Sequence, residues 1–150
     1  MGLTAPPRRG VRTLPGRSDG WDNGPVEDSV AVLIVDDQAP FRRAARAVVT
    51  ATPGFEVVGE AESGEEAVRM VDALQPGLVL MDINLPGING IEATRRIISA
   101  HPAAVVMLLS TYQMGDLPAD ADGCGAAAYV HKEDFGPSLV QDIWSKRGVA

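Results

Sequence analysis

Apolar residues in this chain alternate between two rhythms. Val30–Val35 is an unbroken, β-branched-rich run with the length of a buried strand. Pro40 then permits a helix start, and Phe41, Ala44, Ala45 and Val48 follow at i, i+3, i+4, i+7 spacing until Pro53-Gly54. Phe55–Ala61 reads as a second strand around Val57 and Val58. Ser63 with Glu66 signals a capping box, and the helix behind it presents Ala67, Val68, Val71 and Leu74 before Pro76-Gly77 stops it. Leu78–Met81 is the third strand. A loop holding Pro86-Gly87 and Asn89-Gly90 leads to a helix from about Ile91, through Ile97 and Ile98, to His101-Pro102. Ala104–Leu109 and Ala127–Val130 are further strands, and Leu139, Val140, Ile143 and Trp144 mark a last helix. Gly115, Pro118, Gly123 and Gly125 fall where a fourth helix belongs, so that helix is expected to be short or irregular.

Apolar strands alternating with helices predict an α/β fold: a doubly wound, five-stranded parallel sheet, flavodoxin-like, in the order 2-1-3-4-5. The pattern begins abruptly. Residues 1–28 hold nine Gly or Pro and no apolar periodicity, which predicts a disordered tail ahead of a domain over 29–150.

Composition narrows the function. The 150 residues include one cysteine, Cys124, which excludes an internal disulfide and a four-cysteine zinc site and fits a reducing, cytoplasmic setting. No apolar run reaches the ~20 residues of a membrane span. The chain has 13 Lys+Arg and 20 Asp+Glu, for a net charge of −7. Four arginines and four acids cancel within residues 1–28, so the domain carries the whole deficit. Nucleic-acid phosphates would be repelled, and specific DNA binding is not expected.

In doubly wound sheets, ligands gather at the carboxyl ends of the strands, near the switch point. Here those ends carry Asp36-Asp37 on the first strand and Asp82 on the third. They carry Ser110-Thr111 on the fourth and His131-Lys132 on the fifth. Each has an ordinary explanation. Asp36 or Asp37 could cap the next helix, Asp82 could be a turn residue, Ser110 and Thr111 could cap a helix, and Lys132 could be a surface lysine. The conjunction changes the weighting. Three crowded acids repel unless a cation joins them, and oxygen ligands suit Mg²⁺. A metal, a lysine and a hydroxyl around a spare carboxylate are the equipment for phosphoryl transfer to an aspartate.

These residues lie in four ordered motifs: Val32–Asp37, Met81–Gly90, Leu109–Thr111 and Ala128–Lys132. Together they resemble the receiver domain of two-component response regulators, over roughly residues 29–147. Val57–Ala61 and the Lys132-Glu133 pair are most similar to receivers of the NarL/LuxR-like group, whose members usually carry a helix-turn-helix DNA-binding domain. The resemblance implies that Asp82 accepts a phosphoryl group from a histidine kinase or phosphotransfer protein. It implies that Asp37 ligates Mg²⁺ with help from Asp36, Asp82 and the backbone carbonyl of Asn84. It further implies that Ser110 and Lys132 contact the phosphoryl group and that Tyr129 is the switch aromatic.

The sequence departs from the pattern in three places. Glu133 stands where many receivers have proline, Thr111 is larger than usual beside the phosphoryl site, and the fourth-helix segment is poor in helix formers. The expected activity is therefore a single-domain receiver without turnover of its own, signalling to a downstream protein, with a phosphorylation-dependent homodimer as one form of output. The alternatives are a truncated DNA-binding regulator and a flavodoxin-like binder of a phosphorylated small molecule. Arg42, Arg43 and Arg46 on the first helix suggest a kinase docking face.

Overall fold

A computed structural model describes residues 29–111, 117–121 and 123–147. Strands β1 (Val30–Val35), β2 (Phe55–Ala61), β3 (Leu78–Asp82), β4 (Val105–Ser110) and β5 (Ala128–His131) alternate with α1 (Ala39–Thr50), α2 (Gly64–Leu74), α3 (Gly90–Ala100) and α4 (Pro137–Lys146). The sheet is parallel throughout, in the order β2-β1-β3-β4-β5. The expected fold class and strand order are both found. Between β4 and β5 the described residues form a 3-10 turn at Ala119–Ala121 rather than a full helix. Part of the glycine-rich fourth-helix segment, and the proposed tail over 1–28, lie outside the described residues.

The sheet has two covered faces because its central strands are apolar on both sides. On one face Leu33, Val35, Val79, Met81 and Leu108 pack with Ala67, Val71, Ile91 and Ile97 of α2 and α3. On the other, Val32, Ile34, Leu78, Leu80 and Leu109 pack with Ala45, Val49 and Val140 of α1 and α4. All five residues of β3 are buried, so this strand forms the centre of the molecule.

Two helix faces differ from their sequence pattern. On α1, Ala44 is exposed and Val49 is buried instead, since a span from 41 to 49 follows the helix stripe better than one ending at 48. On α2, Leu74 is 42% exposed although its Cδ1, like the end of Met70, lies over Gly59 of the edge strand β2. The capping signal at Ser63 is real. Its hydroxyl accepts the Glu66 N–H at 3.1 Å, while the Glu66 carboxylate accepts from Glu62 N–H, one residue outside the reciprocal box.

The end of α2 is closed by Gln75, in the left-handed region at φ 48°, just before Pro76. That conformation disfavours a side chain by ~1–2 kcal/mol, and glycine is its usual occupant. We expect Gln75→Gly to raise unfolding stability by about 0.5–1 kcal/mol, read as a higher urea midpoint with an unchanged slope. A lower midpoint would show that the glutamine side chain contributes more than its backbone strain costs.

Candidate functional site

Because every strand runs the same way, all five carboxyl ends open on one edge of the sheet. β1 and β3 are adjacent there, which brings Asp36 and Asp37 beside Asp82. One ligand oxygen from each of these three lies within 4.8 Å of the others. Asp36 is fully buried, Asp82 is 4% exposed, and Asp37 faces solvent. Asp82 and Ser110 lie within their strands, as their last residues, so backbone pairing holds them. Asp82 pairs with Leu109, next to Ser110, and Ser110 pairs with His131, next to Lys132. Ser110 is 3% exposed.

Lys132 reaches into this cluster from the far side. Its Nζ lies 2.7 Å from Asp36 Oδ2 and 3.6 Å from Asp82 Oδ1. The expected pairing with Asp82 is therefore the longer of two, and Asp36 is the nearer partner. Asp36 also accepts the Gln38 N–H through Oδ1 at 2.8 Å, which fixes the turn before α1, but the helix N-cap is Gln38 and neither Asp36 nor Asp37 caps it. The Asn84 N–H faces Asp82 Oδ1 at 3.3 Å, which closes the loop after β3 onto the site. Tyr129, half-buried on β5, donates its hydroxyl to the Ala121 carbonyl at 2.6 Å. His131 accepts the Glu133 N–H and lies 3.1 Å from the Thr111 carbonyl. The peptide after Lys132 turns into a 3-10 segment, Lys132–Asp134, where many receivers have proline.

Several positioning residues carried no clear sequence signal. Gly90 reads from sequence as a turn residue, yet it packs directly on the Asp82 carbonyl, and a methyl group there would collide with it. Glu65 accepts the Ile88 N–H at 3.0 Å, anchoring the β3–α3 loop, and that bond holds its carboxyl below the usual range. Arg42 is not an open docking residue. It donates to the Asp36 carbonyl at 2.7 Å and to Glu60 at 3.1 Å, and its side chain is 13% exposed. Arg46 is also paired with Glu60, and Arg43 faces solvent.

The electrostatics follow from this packing. Burial first, and the Asp36 carboxylate second, push Asp82 up from its ordinary 3.8 to about 6, against the pull of Lys132. An acid held this way favours a cation beside it. Three carboxylates without nitrogen or sulfur ligands suit a hard ion such as Mg²⁺, so the donor set fits that metal.

Residues 32–143 match the family model for the response regulator receiver domain. The chain belongs to the response regulator receiver family. It is 35% identical over 117 residues to the transcriptional regulatory protein DegU of Brevibacillus brevis, covering 78% of this chain and 50% of that one. The receiver therefore spans about half the length of that curated relative. A LuxR-family two-component response regulator from Aurantimonas sp. superposes with a TM-score of 0.70 at 36% identity, covering 78% of this chain and 84% of the other. The CheX–CheY–BeF3–Mg complex of Borrelia burgdorferi gives a TM-score of 0.70 at 26% identity, covering 81% and 90%. As a receiver of two-component systems, the chain is a phosphoacceptor signalling domain, and receivers of this family bind Mg²⁺ at an acidic pocket. No helix among the described residues is long and apolar enough to cross a membrane.

Folding the receiver raises the proton affinity of Asp82, so the metal-free fold draws stability from this group below about pH 4 and loses it as pH rises through about 6. Asp82→Asn removes that loss. We expect the variant to exceed the wild type by about 1–2 kcal/mol at pH 7.5 without divalent cations, with the gap closing toward pH 4. Urea titrations at a series of pH values measure this, and a pH-independent gap would assign the effect to something other than the carboxyl proton.

Proposed function

We propose that Asp82 accepts a phosphoryl group from a histidine kinase or phosphotransfer protein in a Mg²⁺-dependent reaction, within a domain spanning residues 29–150. The observation that carries this reading is the convergence of Asp36, Asp37, Asp82 and Lys132 at one strand edge of a receiver fold. The ionised Asp82 carboxylate attacks the phosphohistidine phosphorus. A P–O bond forms as the P–N bond breaks, and the imidazole leaves with the kinase. Asp37, Asp36, Asp82 and the Asn84 backbone carbonyl would hold the metal, which when bound neutralises charge on the transferring phosphoryl oxygens. Lys132 offsets the remaining charge, and the Ser110 hydroxyl donates to a phosphoryl oxygen. The domain has no turnover of its own in this reading, and it works in the cytoplasm.

The signal leaves through protein contacts. Phosphorylation adds a charge of about −1.5 to −2 and draws Ser110 and Lys132 toward Asp82. Tyr129, on β5 opposite Leu108 and two residues before the Ser110–His131 pair, bonds the turn at Ala121 and would relay the change. Beside it lies an open cleft of about 430 Å³ between β5 and α4, lined by Tyr129, Val130, His131, Leu139 and Ile143. A downstream protein, or a second copy of the receiver in a phosphorylation-dependent homodimer, would dock there. Direct sequence-specific binding to DNA is not part of this function. A second reading, the receiver portion of a DNA-binding regulator, is favoured by one observation: the match spans only half of a transcriptional regulator. An immunoblot of source cells separates the two readings by showing a band at the size of 150 residues or one well above it.

Acetyl phosphate with Mg²⁺ should add one acid-labile phosphoryl mass to the wild type and none to Asp82→Asn. An undiminished gain in the variant would move the site elsewhere. Millimolar Mg²⁺ should raise the melting temperature of the wild type and shift that of Asp37→Ala much less. Equal shifts would place the metal away from Asp37. Hydrogen exchange with and without beryllofluoride should change most between Ser110 and Lys132 and little within α1. A response confined to α1 and α2 would sink the proposed output face.

A further inference from the structure

Lys132 has a third neighbour that sequence reading assigned only to the core. Its ammonium lies over the Phe41 ring, 4.4 Å from the centroid. Phe41 stands in the first turn of α1, and its N–H donates to the Gln38 carbonyl, the same residue whose N–H binds Asp36. Behind it, the Phe135 ring packs at 6.2 Å between centroids, tilted by 45°. Phe135 follows the 3-10 segment that begins at Lys132. The lysine is thus bounded by two carboxylates and one aromatic face, and its side chain is only 14% exposed.

We propose that Phe41 is a positioning residue for phosphoryl transfer, holding the Lys132 ammonium between Asp36 and Asp82 through a cation–π contact. The inference rests on the proposed role of Lys132 at the phosphoryl group. The physical argument is one of direction. Asp36 is the nearer anion and draws the ammonium away from Asp82. The electron-rich ring face attracts the same charge without neutralising it. It also covers part of the lysine against water, whose competition would weaken both ion pairs. With the ring in place, Lys132 can exchange Asp36 for a phosphoryl oxygen at Asp82 by a short shift. A flexible lysine stem with no such face would lose more rotamer freedom to reach the same place.

The test is a series of site-specifically fluorinated phenylalanines at position 41, which withdraw electrons from the ring face while nearly preserving its shape. The readout is the rate of phosphorylation by acetyl phosphate in saturating Mg²⁺. We expect the rate to fall stepwise with fluorination, reaching about threefold to tenfold for the trifluoro ring. Phe41→Leu should fall at least as far, with folding checked by its melting curve. In the Lys132→Ala background the same series should be flat. If Lys132→Ala phosphorylates like the wild type, the assigned role of Lys132 fails and this inference fails with it. If Lys132→Ala is impaired but fluorination leaves the wild-type rate unchanged, only the role of Phe41 is overturned. A fluorination effect that persists without Lys132 also overturns it, because the ring would then act through packing alone.

Discussion

Repulsion among three carboxylates is the constraint around which this receiver is organised. Asp36, Asp37 and Asp82 are brought within ligand distance of one another, with two of them buried. Such a cluster survives in a fold only if charge is balanced or a proton is retained. Both solutions are visible. Lys132 is driven against Asp36, and burial with the Asp36 carboxylate pushes the Asp82 carboxyl up to about 6. The strain in the site is electrostatic, and a cation or a phosphoryl group changes its balance directly.

The rest of the structure keeps that cluster in place. β3, apolar and buried along its length, carries Asp82 to the edge of the sheet, and Gly90 lets the start of α3 rest on its carbonyl. Arg42 ties the Asp36 backbone to Glu60 at the end of β2, and Glu65 fixes the loop that leads from Asp82 into α3. Arg42, Glu60 and Glu65 thus support the acidic site from neighbouring elements. Arg95 extends the same logic to the far side, reaching from Glu92 to the Asp120 carbonyl beside the turn that Tyr129 holds.

That turn is where the chain departs from an idealised βα repeat. Among the described residues it is a short 3-10 segment, followed by Gly123 and Gly125 at positive φ. Its described residues are attached by the buried Ala121 and Cys124 and by side-chain bonds from Arg95 and Tyr129 to the Asp120 and Ala121 carbonyls.

The elements, their order, the parallel sheet and the residues at each strand end were all legible in the amino-acid pattern. Apolar runs and breakers act locally, and parallel strands oblige their carboxyl ends to meet. The sequence therefore determined that Asp36, Asp37, Asp82, Ser110 and Lys132 would share an edge. What it could not express was which of them would touch. Lys132 lies nearer Asp36 than Asp82, Phe41 faces the lysine rather than only the core, and Arg42 turns inward to the sheet instead of outward to a partner. Leu74 and Ala44 likewise satisfy a helical spacing and still reach solvent. Spacing records only which face of its own element a residue occupies. Contact depends on what another element, distant in the chain, brings to that face, and only the tertiary structure decides that.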